Sequence, residues 1–255
     1  MKKFIILFFL LYPFEVFSIT QWSEVAPGIA YANIINKNSP TLSSLHAFKI
    51  NLKQNDLQLA LAKDGLLPAT TVKWLAEKNQ ALLAVNGGFF TPFWQTIGLR
   101  IQNGKVRSPL QKTSWWHIFY ITHQTPYIIT EKEYETHSLN LSKNSTITLA
   151  IQGGPRLLAN GEIPTLKPGK AQRTALGITR DGQVIIIGTE HWRMSTTDLA
   201  HLLQAPESEN GLNCIEGLNL DGGNSSQLYA NTHLLQLNIS NFSLITDILY
   251  VTRKI

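Results

Sequence analysis

Residues 217–228 read GLNLDGGNSSQL, and this stretch decides how the rest of the chain is interpreted. An apolar run ends at a single carboxylate, Asp221, and two glycines, an amide and two hydroxyls follow at once. Residues 81–90, ALLAVNGGFF, have a similar pattern, in which an apolar strand stops at Asn86 and a second glycine pair. Glycine pairs at strand ends permit positive φ angles and let a ligand approach the main chain closely. We therefore predict that a central sheet carries both turns at one edge, with Asn86 and Asp221 within ligand reach of each other.

A purely structural interpretation of the two turns is also open. Asn and Asp side chains at strand ends commonly satisfy local backbone donors, which stabilises a tight turn without any ligand. The spacing of the residues does not separate this interpretation from a binding site.

Local signals elsewhere in the chain are those of a protein with both helices and strands. Residues 70–79 have hydroxyl caps followed by a helical pattern, and residues 195–198 form a capping signal before a helix at 199–204. Residues 174–187 predict a hairpin with an Asp-Gly turn, and residues 242–251 predict a last strand whose one acid is Asp247.

These signals, without repeats or linkers between them, predict an α/β or α+β fold. We expect a single domain over residues 19–255, with its core roughly at 81–255. The expected architecture is a central mixed sheet flanked by short helices.

Residues 1–18 are typical of a secretion signal. Lys2 and Lys3 precede a short apolar run, and Ser18 is a small residue at a cleavable position. The run is shorter than the ~20 apolar residues that span a bilayer. We therefore predict a periplasmic or secreted protein with no stable membrane insertion after cleavage.

The charge of the chain favours a modest attraction for anionic ligands. The formal net charge is +5, and the basic residues are scattered along the chain, which does not predict a nucleic-acid-binding stripe. The single cysteine and the dispersed histidines lack zinc-ligand spacing, so no cofactor is required. A divalent cation, calcium or magnesium, is conceivable at Asp221 and Asp247 with backbone carbonyls.

Four blocks of sequence together resemble the phosphodiester glycosidase family. They are AVNGGFF (84–90), QGGPRLL (152–158), QRTALGITRDGQVIII (172–187) and LNLDGGNSSQL (218–228), in the order and at about the spacing of that family. The resemblance covers most of the chain from about residue 81. One departure is Asn224, where a third glycine is expected.

The resemblance implies a hydrolase of sugar-1-phosphodiesters that cleaves between C1 of the sugar and the phosphate oxygen. A phosphate monoester is a better leaving group than an alkoxide, so a strong general acid is less necessary. The remaining needs are a cation for the departing phosphate and a carboxylate for the oxocarbenium-like centre or the attacking water.

The residues in the matching blocks supply candidates for these roles. Asp221 is the expected carboxylate, Arg173 the expected phosphate-binding guanidinium, and Asn86 a third catalytic candidate. The expected substrate-binding residues are Gly87, Gly88, Phe90, Arg156, His191, Gly222, Gly223, Ser225 and Ser226. A second carboxylate is left open between Glu190 and Asp247.

Two other classes of function also fit the composition. A non-catalytic protein that binds anionic glycans would keep the same arginines and aromatic residues. A metal-dependent phosphodiesterase would need several clustered carboxylates and histidines, and the motifs supply few.

Overall fold

The computed structural model describes residues 19–254, apart from residues 38, 40 and 141–146. The predicted signal segment, residues 1–18, lies outside the described residues. Export therefore stays a prediction, which sequencing of the mature N-terminus can test. Within the described part of the chain, no helix is both long and apolar enough to cross a membrane.

Strands dominate the described part of the chain. Its nineteen strands are β1 Ser23–Ala26, β2 Ile29–Ile35, β3 Ser44–Ile50, β4 Asn55–Leu61, β5 Leu83–Asn86, β6 Arg100–Gln102, β7 Lys105–Ser108, β8 His117–Thr122, β9 Thr125–Thr130, β10 Ile147–Gly153, β11 Arg156–Leu158, β12 Lys170–Ala171, β13 Thr174–Thr179, β14 Val184–Glu190, β15 Met194–Ser195, β16 Cys214–Asn219, β17 Leu228–Asn231, β18 Gln236–Ile239 and β19 Asp247–Arg253. Its three α-helices are α1 Val72–Lys78, α2 Glu131–Asn140 and α3 Thr196–Gln204.

These strands form three large sheets and one small one. The strand orders are β1-β2-β3-β14-β13-β16-β11, β18-β17-β5-β19-β4, β7-β6-β10-β8-β9 and β12-β15. Every strand pair among the described residues is antiparallel. The expected single central mixed sheet is therefore wrong, although helices and strands do occur together in an α+β arrangement.

The main hydrophobic core lies between the three large sheets. Phe48 and Leu176 come from the seven-stranded sheet, Val85 and Leu249 from the first five-stranded sheet, and Phe119 from the second. Smaller clusters join α3 to the other face of the seven-stranded sheet and α1 to the other face of the β5 sheet. The helices thus cover outer sheet faces, which is why they are short and few.

The local predictions agree well with the observed elements. Thr71 accepts a hydrogen bond from the amide of Trp74 and caps α1, and Ser195 forms a capping box with Asp198 at α3. The predicted hairpin is β13 and β14, with Gly182 at a φ of 80° in the turn. The last strand, β19, begins only at Asp247, later than the sequence pattern indicates.

Candidate active site

The two glycine turns meet at one end of the core, although their strands belong to different sheets. Strand β5 leads into Asn86, and strand β16 leads into Asp221. The Asn86 side-chain Nδ2 donates a hydrogen bond to the backbone oxygen of Asp221 at 2.8 Å, and the Asp221 amide donates to the Gly87 oxygen at 3.2 Å. The prediction that Asn86 and Asp221 lie within ligand reach is therefore confirmed.

Asn86 is a buried cross-link. Its Oδ1 accepts hydrogen bonds from the Thr174 hydroxyl at 2.6 Å and from the Gln227 amide at 3.1 Å. Its Nδ2 donates to the Asp221 oxygen and, more weakly, to the Gly87 oxygen. These bonds use the whole amide group, and the side chain is buried, so we assign Asn86 a positioning role rather than direct contact with a substrate.

Asp221 has an environment that favours its protonated form. Burial raises its pKa to about 6, and the nearby charge of Asp247 acts in the same direction. Hydrogen bonds from the Ser225 hydroxyl and from the Gly222 amide, the latter at 2.9 Å, lower it in part, as does the charge of Arg100. A carboxyl group with a pKa near neutrality is suited to proton transfer or to charge stabilisation at physiological pH.

The amides of the four glycines that are expected to bind substrate donate to other groups of the protein. The Gly87 amide donates to the backbone oxygen of Asp247, the Gly88 amide donates to its Oδ1, and the Gly223 amide donates to the Gln172 oxygen. Only Gly223 among the four has a positive φ, 60°, and no atom lies within 4 Å of the position that a Cβ there would take. The open surface of the turn is therefore at Gly223, while the amides themselves are satisfied by protein.

A fully buried ion pair, which the sequence interpretation missed, supports the first turn. Arg100 Nε lies 3.0 Å from Asp247 Oδ2, and both side chains are 0% exposed. Arg100 Nη1 donates to the Leu99 oxygen at 3.0 Å, and a Cβ on Gly87 or Gly88 would overlap Asp247 or Arg100. The glycine pair is therefore needed for packing against this ion pair. The only sequence signals were single charges of opposite sign within apolar strands.

Arg173 lies beside the second turn and is held by carbonyl groups. Its Nε donates to the Met194 oxygen at 2.9 Å and its Nη2 to the Gly169 oxygen at 2.7 Å. Burial lowers the pKa of Arg173, but a guanidinium stays charged at neutral pH. The Cα of Arg173 is 4.0 Å from the Cβ position of Gly222, and no described residue accepts a hydrogen bond from its Nη1. The backbone of Arg173 therefore lies beside the Asp221 turn, and its guanidinium is fixed by two carbonyl groups.

Three other residues that the sequence predicts for the site are paired, exposed or packed elsewhere in the protein. Arg156 is paired with Glu216 at 2.5 Å across β11 and β16, which compensates its charge, and its expected part in substrate binding stays a prediction. His191 has an exposed side chain at a φ of 53° and no hydrogen bond to the site among the described residues. Phe90 stacks on Trp94 with ring centroids 5.3 Å apart and packs on the core next to α1.

The serines of the second turn, which are expected to bind substrate, form hydrogen bonds within the protein. Ser225 binds the Asp221 carboxylate, and Ser226 Oγ lies 3.3 Å from the Thr174 hydroxyl. Asn224 is exposed in the short 3-10 turn Gly223–Ser225, so a third glycine is not needed there.

The two candidates for a second carboxylate each have a partner. Asp247 is neutralised by Arg100, and Glu190 Oε2 lies 3.2 Å from Nε2 of the buried His46, whose pKa burial lowers. The proposed cation site at Asp221 and Asp247 does not fit this arrangement, because Arg100 occupies one side of Asp247 and repels a cation. Among the described residues, no group of three or more His, Cys, Asp and Glu side chains converges as metal ligands do.

Comparison with known proteins supports the resemblance that the four blocks of sequence indicate. Residues 79–252 match the phosphodiester glycosidase family. The chain belongs to this family. It is 28% identical over 159 residues to Uncharacterized protein YigE of Escherichia coli (strain K12), a match that covers 59% of this chain and 62% of YigE. The match thus spans about three fifths of the length of this relative.

Solved structures show that the fold is shared with family enzymes. The catalytic domain of zebrafish N-acetylglucosamine-1-phosphodiester alpha-N-acetylglucosaminidase, auto-inhibited by its pro-peptide, is 19% identical, with a TM-score of 0.64 and coverage of 92% of this chain and 88% of that domain. A hypothetical protein from Synechocystis is 15% identical, with a TM-score of 0.65 and coverage of 92% of this chain and 64% of that one. The phosphodiester glycosidase family is one of hydrolases of phosphodiester-linked glycans, and this chain has its fold.

Proposed function

We propose that this protein hydrolyses a sugar-1-phosphodiester by cleaving the glycosidic C1–O bond, releasing the sugar and a phosphomonoester. The proposal rests on the observation that the two glycine turns, at Asn86 and at Asp221, meet at one end of the core. There Asp221, whose pKa is raised to about 6, lies in a turn that packs against the backbone of Arg173, whose guanidinium is held by the Met194 and Gly169 oxygens. A carboxylate and a cation are the two charges that this reaction requires.

Asp221 acts in this proposal on the sugar side of the scissile bond. In its ionised form the carboxylate stabilises positive charge at C1 or accepts a proton from the attacking water. Hydrogen bonds to Ser225 and Gly222 fix its orientation, and the Asn86 cross-link fixes the turn that carries it. The water oxygen becomes bonded to C1, and the electron pair of the C1–O bond leaves with the phosphate.

The experiment that tests this assignment is hydrolysis in water enriched in heavy oxygen. We expect the label in the released sugar, because the C1–O bond is broken and water attacks C1. Label in the phosphate would instead indicate P–O cleavage, as in a phosphodiesterase. Tight binding of sugar-1-phosphodiesters without any turnover would favour a glycan-binding protein.

Arg173→Lys should lower kcat/KM by about 10-fold or more, because a lysine cannot keep the bonds to the Met194 and Gly169 oxygens and also present a donor to the phosphate. Arg107→Lys is the matched control, since Arg107 forms a partly exposed ion pair with Asp64 and lies on β7, in another sheet. Steady-state kinetics on a methyl sugar-1-phosphodiester, with thermal midpoints for both variants, provide the comparison. Equal losses in the two variants would argue against phosphate binding by Arg173.

A further inference from the structure

Arg173 lines a pocket of about 440 Å³. We call it the Trp115 pocket, and its apolar lining includes Trp115, Pro155, Leu166 and Pro168. Its volume is in the range of small-molecule sites, which are mostly apolar with few polar groups.

The Trp115 pocket adjoins the candidate active site on two sides. Arg173 lines the pocket, and the preceding Gln172 accepts a hydrogen bond from the Gly223 amide at 2.8 Å. On the other side, Trp115 contacts Phe89, which follows the first glycine pair, with ring centroids 6.3 Å apart. The residues that line the pocket are therefore neighbours, in sequence or by contact, of residues in both glycine turns.

The walls of the pocket are fixed by hydrogen bonds. The Thr196 hydroxyl donates to the Lys167 oxygen at 3.2 Å, and Arg173 Nη2 donates to the Gly169 oxygen at 2.7 Å. Strand β12, at Lys170–Ala171, pairs with β15. The pocket is thus preformed, so a ligand does not have to order this segment on binding.

Trp115 provides an exposed aromatic surface in a fixed orientation. Its ring packs edge-on against Trp116 with centroids 5.4 Å apart, yet 53% of the residue is exposed to solvent. A large aromatic side chain that is both exposed and held by neighbours is typical of a ligand-binding surface.

The charges at the pocket all have the same sign. Lys167 and Lys170 are exposed beside Arg173, and none of the described residues that line the pocket is acidic. The expected occupant is therefore anionic where it passes Arg173 and apolar beyond that point.

We infer that the Trp115 pocket is the subsite for the group esterified on the far side of the phosphate, and that this group is apolar. The inference rests on the proposed function, in which the phosphate lies at Arg173. It names the substrate class as a sugar-1-phosphodiester of an apolar alcohol. A second sugar would leave its hydroxyls against the apolar lining without partners.

Calorimetric binding of two phosphomonoesters to the intact protein tests this inference without requiring turnover. Cyclohexylmethyl phosphate should bind about 10-fold more tightly than methyl phosphate, because an apolar group that fits a preformed pocket contributes a difference of that order. Trp115→Ala should reduce this preference to roughly threefold or less and leave methyl phosphate binding unchanged. Leu166→Asn provides a second, independent variant of the lining and should reduce the preference in the same direction.

Trp74→Ala is the control, since Trp74 is a partly exposed tryptophan on α1, outside the pocket. Equal affinities for the two phosphates, or a preference that survives both lining variants, would overturn the inference. If no sugar-1-phosphodiester is hydrolysed while the Trp115-dependent preference persists, the proposed reaction is wrong and the subsite stands.

Discussion

Replacing Asp221 by asparagine should lower kcat on a sugar-1-phosphodiester by about 100-fold or more while the protein stays folded. Asparagine keeps the volume of the side chain and its hydrogen bond from the Gly222 amide, but it removes the charge. Steady-state kinetics and circular dichroism of the variant provide the measurement. Normal turnover by Asp221→Asn would mean that the carboxylate only stabilises the turn.

The pH dependence of the unmodified protein gives a second test of Asp221. If the ionised carboxylate is the active form, kcat/KM should rise with pH through about 6, the pKa to which burial raises this group. Asp56→Asn is a control, because the Asp56 side chain is 47% exposed and forms only a surface pair with Lys254. The control should retain both the rate and the pH profile.

The raised pKa of Asp221 also makes the stability of the folded protein depend on pH. Because the folded protein binds this proton more tightly than the unfolded chain does, the stabilising contribution is present at low pH and is lost as the pH rises through about 6. Asp221→Asn should therefore raise the thermal midpoint more at pH 7.5 than at pH 4, a difference that calorimetry can measure. Such a gain in stability with a loss of rate is the pattern expected when a catalytic charge is held in a buried site.

Arg100→Met should lower the free energy of unfolding by about 3–5 kcal/mol, because it leaves the buried Asp247 carboxylate without its counter-ion. For a domain of this size, the thermal midpoint should fall by roughly 10 °C. Lys112→Met is the matched control, since the Lys112–Glu135 pair is 3.5 Å long and largely exposed, and such pairs contribute about 1 kcal/mol or less.

The double variant Arg100→Met with Asp247→Leu separates the ion pair from general packing. Removing both charges should recover a large part of the lost stability, because two apolar side chains can fill the same buried space. An unchanged thermal midpoint in Arg100→Met alone would contradict the role assigned to this pair.

Local chemistry explains which parts of the fold the sequence predicts. Thr71 and Ser195 cap helices through bonds to residues three positions away, and Gly182 supplies the positive φ of a hairpin turn. Such signals depend on near neighbours along the chain and can be read directly. The division into several antiparallel sheets depends on strand partners far apart in sequence, so apolar runs and turn signals predicted strands but not their sheets.

Some residues of the candidate site could likewise be predicted from the sequence, and others could not. Asp221 and Asn86 could be predicted to meet because both follow strand-ending patterns that recur together in one family. The ion pair of Arg156 could not be predicted, because its partner, Glu216, lies on a neighbouring strand 60 residues away and no local pattern shows that its charge is compensated. Arg100 was missed because a buried arginine is recognised only when its carboxylate partner is known.

The cross-link between Asn86 and Asp221 has a consequence for how activity arises during folding. The two residues are 135 positions apart, and their strands belong to different sheets. Contacts between such distant segments form late, because the intervening chain must first lose much of its conformational freedom. Catalytic competence should therefore be among the last properties that a newly made chain acquires, so hydrolysis is confined to molecules whose sheets have already docked.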